Sequence, residues 1–150
     1  MGIGSIILSG PVLVTPADNA NSRHSVAKAT LGTKGYSEDG EFVYVGVTVA
    51  TTASGTPVSL VDGFDTVVKG DLDSAGGFLG VADAPIASGE FGYVRTAGHC
   101  TAQVASGVVA GGYLELSGTA GLLKAITTSG VAVGIALEAS PDANGLTDIY

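Results

Sequence analysis

Turn signals interrupt this chain at roughly every tenth position, and no segment between them keeps amphipathic helical spacing for more than two turns. The apolar runs they separate are short and rich in β-branched residues, which pack well on a pleated surface. Glycine supplies 24 of the 150 residues, so tight reversals are available throughout. The pattern implies an all-β domain: a compact antiparallel β-barrel or β-sandwich with short strands, little helix and an extended N-terminal arm. No internal repeat or linker divides the chain. Residues 1–16 read as an arm or first edge strand, and residues 17–150 as a single β-rich domain.

The clearest strand follows the turn pair Asp39-Gly40. From Glu41 onward, Val43, Val45, Val47 and Val49 alternate with Phe42, Tyr44 and Thr48. The valine face is expected in the core, and the aromatic face against a second layer or a neighbour. Asp62-Gly63, between Val58–Val61 and Phe64–Val68, predicts a hairpin with a type I′ turn. Phe78 to Ala82 reads as a short buried strand. From Phe91 to Val104 one alternation places Phe91, Tyr93, Arg95, Ala97, His99 and Gln103 on one face. Val94, Cys100, Ala102 and Val104 fall on the other. Strands are expected again at Tyr113–Leu116, Val131–Leu137 and Leu146–Tyr150, with a short helix possible between Thr119 and Ile126. The expected core comprises Val43, Val45, Val47, Val94, Cys100, Val104, Leu116, Val133, Ile135 and Leu137.

The formal net charge is −8, and the six basic residues are scattered, which opposes binding to nucleic-acid phosphates. Only 13% of residues are charged, a thin polar coat that favours cover by partners. No run approaches the ~20 apolar residues of a membrane-spanning helix. The first ten residues lack the basic start and cleavage pattern of a signal peptide. The single cysteine, Cys100, excludes an intrachain disulfide, fits synthesis in a reducing compartment and reads as a small core residue.

Two stretches carry a resemblance. GEFGYV (89–94), a Gly- and Ala-rich strand, LSGTAGLLKA (116–125), AVGIALEA (132–139) and a closing strand follow one another in order. Upstream lies LGTKGYSEDGEFVYVGV (31–47). The layout resembles the head-decoration, or capsid cement, proteins of tailed bacteriophages. The resemblance implies a structural virion protein without catalytic activity or cofactor. It would be made in the host cytoplasm and bound to the outer capsid surface. Its implied partners are the major capsid protein and copies of itself, a homotrimer being favoured. The alternatives are another phage structural component of fibre or tail, or a β-rich hydrolase or carbohydrate-binding module.

The residues themselves offer no convincing active site. Thr96-Ala97-Gly98-His99-Cys100 is similar to the segment around the catalytic histidine of chymotrypsin-like proteases. That fold requires His, then Asp, then Ser, and no serine follows Asp142 or Asp148. Ser74, in a faint echo of a nucleophile loop, precedes the histidine. Asp71, Asp73 and Gly76 resemble the start of a calcium loop, but Ala82 stands where its final glutamate belongs. His24, His99 and Cys100 have no metal-ligand spacing, so neither metal nor cofactor is expected.

The remaining candidate is the arm. Met1 to Val14 contains no charged side chain, and Ile3, Ile6, Ile7, Leu8, Val12, Leu13 and Val14 are its candidate partner-binding residues. Adding a strand to a neighbour's sheet would satisfy their backbone groups and bury alternate side chains. The competing expectation is an ordinary edge strand within the same domain.

Overall fold

The computed structural model describes residues 7–8, 21–38, 40–51, 53–64, 67–70, 77–141 and 145–150. These residues are all-β, in thirteen short strands. They are β1 (Ile7–Leu8), β2 (Arg23–His24), β3 (Lys34–Ser37), β4 (Gly40–Gly46), β5 (Thr56–Leu60), β6 (Val67–Lys69), β7 (Phe78–Ala82) and β8 (Phe91–Ala97). There follow β9 (Cys100–Val104), β10 (Tyr113–Leu116), β11 (Leu123–Ala125), β12 (Gly134–Ile135) and β13 (Gly145–Ile149).

The first eight strands form one antiparallel sheet in the order β1-β3-β4-β8-β7-β5-β6, with β2 pairing the start of β8. Its third strand, β4, is buried on both faces. Val43, Val45 and Val47 pack with Val58, Ala82, Ile86 and Val94, as the alternation predicts. Phe42 and Tyr44 pack with Tyr93 on the other face, and Ala29, Leu31 and Phe91 close over them. The covering layer is the segment before β3. Its Lys28 amide donates to the Tyr44 hydroxyl at 3.1 Å, His24 Nδ1 lies 2.7 Å from the same oxygen, and the Gly32 amide donates to the Tyr44 carbonyl at 2.7 Å. Val49, next in the valine alternation, lies beyond the strand and is exposed.

The last five strands form a second sheet in the order β12-β10-β11-β9-β13. Its two end strands also meet. Ala136 bridges Ile149, Ile135 and Tyr150 exchange both backbone hydrogen bonds at 2.9 Å, and the Leu137 amide donates to the Asp148 carbonyl at 2.8 Å. The sheet is therefore a closed five-stranded barrel, an arrangement that leaves no strand edge unpaired around its wall. One pair in it, β9 with β11, is parallel, whereas the sequence reading expects antiparallel pairing throughout. Ala102, Val104, Val108, Leu114, Leu116, Leu123, Ala136 and Ile149 fill the interior, and Val81 of β7 joins the same cluster from the first sheet.

Four expectations need correction. The Phe91–Val104 alternation is two strands in two sheets. Gly98, at φ +107°, turns the chain after Ala97, a backbone conformation that a side chain would strain. The Asp62-Gly63 pair does not make a two-residue turn, because β5 ends at Leu60 and β6 resumes at Val67. Phe64 instead folds back, and its carbonyl accepts a 2.7 Å bond from the Gly46 amide. The segment offered as a short helix contains β11, held by β10 on one side and β9 on the other. In the expected Val131–Leu137 strand only Gly134–Ile135 pairs as strand. Leu137, expected in the core, is 46% exposed, and Cys100, Val133 and Ile135 are half-buried.

Candidate functional site

Three places merit scrutiny: the histidine turn, the paired arginines, and the sheet end at β1 together with the barrel wall. The turn between β8 and β9 carries His99. Its Nε2 stands 3.5 Å from Asp148 of β13, and Thr101 Oγ1 donates to the other oxygen of that carboxylate at 3.1 Å. His99 is thus a turn residue facing Asp148, not a strand residue in the Arg95–Gln103 row. A histidine oriented by a carboxylate is two-thirds of a nucleophilic triad. The adjacent thiol is ill suited to complete it. Cys100 turns toward the barrel interior, and burial pushes its pKa up to about 11. Asp83 adds to the shift and Arg95 opposes it. At neutral pH the sulfur holds its proton, whereas a reactive cysteine needs the thiolate. Ser74, Asp71 and Asp73 lie outside the described residues.

On the first sheet, two arginines brace the turn that joins β7 to β8. Arg95 makes a forked ion pair with Asp83. Its Nη2 meets one carboxylate oxygen at 2.5 Å, Nε lies 3.2 Å from both, and the guanidinium sits 4.7 Å above the Phe42 ring. Arg23, from β2, donates to the carbonyls of Ser22, Ala84 and Pro85 at 2.5–2.8 Å. Burial lowers its pKa to about 10, with Asp83 and Glu90 offsetting part of the shift. Gly92 leaves room for this side chain, since a Cβ there would lie 2.9 Å from Arg23 Nη1. Both cations are engaged within the fold, as are Lys34 with Glu41 and Lys124 with Glu115. Glu115 is buried beneath Gly130, which raises its pKa. The bonds from Lys124 and Thr127 outweigh that burial and hold the carboxyl below its ordinary value. Among the described residues no group of three or more His, Cys, Asp or Glu side chains could hold a metal ion.

The surfaces are more informative. Of the arm residues, Ile7 and Leu8 form β1 and pair antiparallel with Tyr36 and Gly35 of the same chain, at one end of the eight-stranded sheet. Ile3, Ile6, Val12, Leu13 and Val14 lie outside the described residues. The other surface went unremarked in the sequence. On the outer wall of the barrel, Tyr113 of β10 lies opposite Ile135 of β12, and Ile135 is bonded to Tyr150. Directly opposed residues project from the same face of a sheet. Tyr113 and Tyr150 are 57% and 69% exposed, and Val109, Ile126, Val131 and Leu137 are exposed in the same part of the chain. The signal was legible in Tyr113-Leu114-Glu115-Leu116, where Glu115 marks the outward phase that Tyr113 shares.

The class that these observations define is an all-β domain in which an eight-stranded sheet adjoins a closed five-stranded barrel. No protein-family model matches the chain, and no curated protein matches it.

Proposed function

We propose that this chain is a structural virion protein that binds the outer surface of an assembled phage capsid and reinforces it. The observation that carries the reading is the ordered resemblance of residues 31–47 and 89–150 to capsid cement proteins. Its segments hold whole strands: 31–47 spans β3 and β4, and 89–150 holds β8 of the first sheet together with the entire barrel. Cementing needs surfaces rather than a reactive centre. The chain has 13% charged residues and leaves large apolar side chains on both sheets exposed. Several weak contacts per particle suffice, because each bound copy raises the effective concentration for the next contact. The major capsid protein would be the partner, met where its subunits adjoin, and the arm at Met1–Val14, tied to β3 of its own chain through Ile7–Leu8, would offer its remaining apolar residues to that partner.

The test looks for a major capsid gene beside the one encoding this chain and adds purified protein to heads assembled from its product. Decorated heads should sediment with bound protein and resist heating better than bare heads. Heads that bind none, or that melt at the same temperature with and without it, would refute the reading. Deleting residues 2–14 should leave the circular dichroism spectrum folded while weakening capture by heads. A truncated chain that is unfolded would assign the arm to the core instead.

A further inference from the structure

We infer that the connection between β11 and β12 is an acid-released strap, latched across the outer face of β10 by the Glu115 carboxylate. Glu115 shares the outward phase of Tyr113, yet it is 2% exposed where Tyr113 is 57% exposed. The difference is the strap. Both β11 and β12 run antiparallel to β10 and flank it on opposite sides, so residues 126–133 must cross β10 to join them. They cross on the outside. Their middle is a turn from Thr127 to Gly130, closed by the Gly130 amide donating to the Thr127 carbonyl at 3.0 Å. Both ends of that turn rest on Glu115. Thr127 Oγ1 donates to Oε2 at 3.4 Å, and the Thr127 backbone amide donates to the same carboxylate. Gly130 sits so close that a Cβ there would overlap Oε2. Lys124 Nζ, from β11, meets Oε1 at 3.2 Å.

Little else holds the strap down. Its residues from Ile126 to Ser129, and Val131 and Ala132, are exposed, and Val133 alone among them packs on the barrel cluster. The ends are tied by backbone bonds, Ile126 to the Tyr113 carbonyl at 3.0 Å and Val133 to the Leu114 carbonyl at 2.8 Å. The middle depends on one ionised group. The groups that face Glu115 are Lys124 from β11, Thr127 and Gly130 from the strap, and Tyr113 from its own strand. Residues 126–135 add no titratable side chain. A proton on Glu115 removes the ion pair with Lys124 and turns a charged acceptor into a weaker neutral one. Its partners hold the folded carboxyl below its ordinary value. The latch is therefore complete above the ordinary glutamate value of about 4.3 and is lost as the pH falls through the lower folded value.

Amide hydrogen exchange followed by NMR tests this, with each rate expressed as protection relative to an unstructured chain at the same pH. The Thr127 and Gly130 amides report on the strap, and the Ala105 and Tyr150 amides, bonded to Leu123 and Ile135, report on the barrel wall. In the parent the strap amides should lose at least ~10-fold protection between about pH 6 and about pH 3 while the wall amides keep theirs. Glu115→Gln should show the same selective loss at neutral pH. Lys124→Met keeps the carboxylate and withdraws the charge that favours its ionised form, so its strap should open at a higher pH than the parent's. If Glu115→Gln does not fold, the direction of the Lys124→Met shift decides. Strap amides as protected in Glu115→Gln as in the parent, an opening pH unmoved by Lys124→Met, or losses shared equally by the wall amides would overturn the inference.

Discussion

Two leucine truncations measure how far the barrel governs stability. Leu123 and Leu137 lie in the same half of the chain and lose the same atoms when changed to alanine. Leu123 is fully buried, and its strand is bonded on one side to β10 and on the other to β9. A wall tied at both edges cannot collapse into the space left behind. Leu123→Ala should therefore fall in the upper part of the usual Leu→Ala range, at about 3–4 kcal/mol. For a chain of this length each kcal/mol lowers the melting temperature by roughly 2–4 °C, giving a drop of about 6–16 °C. Leu137 is 46% exposed, and Leu137→Ala should cost no more than ~0.5 kcal/mol. Urea unfolding followed by tyrosine fluorescence and far-ultraviolet circular dichroism gives both values. Because Val81 of the first sheet packs in the barrel cluster, the two probes should show one coincident transition. Equal costs for the two variants, or a Leu123→Ala transition that leaves the first sheet's melting untouched, would refute the packing argument.

Other consequences follow from single residues. Asp83→Ala removes the carboxylate that faces Arg95, whose side chain is only 10% exposed, and should destabilise by about 2–4 kcal/mol in chemical denaturation. Gly80→Ala would place a Cβ 2.1 Å from the Arg95 carbonyl oxygen, between two paired strands, and should cost at least ~3 kcal/mol in the same assay. The Cys100 thiol, with its pKa raised to about 11, should react slowly with iodoacetamide at pH 7.5 and faster as the pH approaches 11. The raised value also sets a sign. The folded state holds the proton more tightly than the unfolded chain, so this contribution to stability is intact below about pH 9 and is lost between about pH 9 and 11. A Cys100→Ser variant should lack that loss in alkaline melts.

The parts of the fold that local chemistry decides were legible beforehand. The valine and aromatic faces of β4 are buried as their alternation requires, and Leu146–Tyr150 lies within one residue of β13. What escaped was decided by distant partners. Nothing in the alternation from Phe91 to Val104 marks the change of sheet, because Gly98 breaks the direction without breaking the phase. Thr119 to Ile126 is too short and too mixed for its period to separate helix from strand, and only the edges of β9 and β10 draw it into the barrel. Leu137 continues an apolar run and so reads as core, yet it shares the outward phase of Ile135, while Ala136 between them turns inward. The His99–Asp148 contact joins residues 49 positions apart through the β9–β13 register, which no spacing rule reveals.

Barrel closure also has a kinetic side. Residues 145–149 must reach β9, more than forty positions earlier in the chain, before Ile135 and Tyr150 can bond. Until they arrive, β9 and β12 both present raw edges, and such long-range pairing is slow to form. During that interval the matching segment of another molecule offers the same hydrogen bonds in the same register. Refolding at high concentration therefore favours strand-exchanged aggregates, and dilution favours the correctly closed chain.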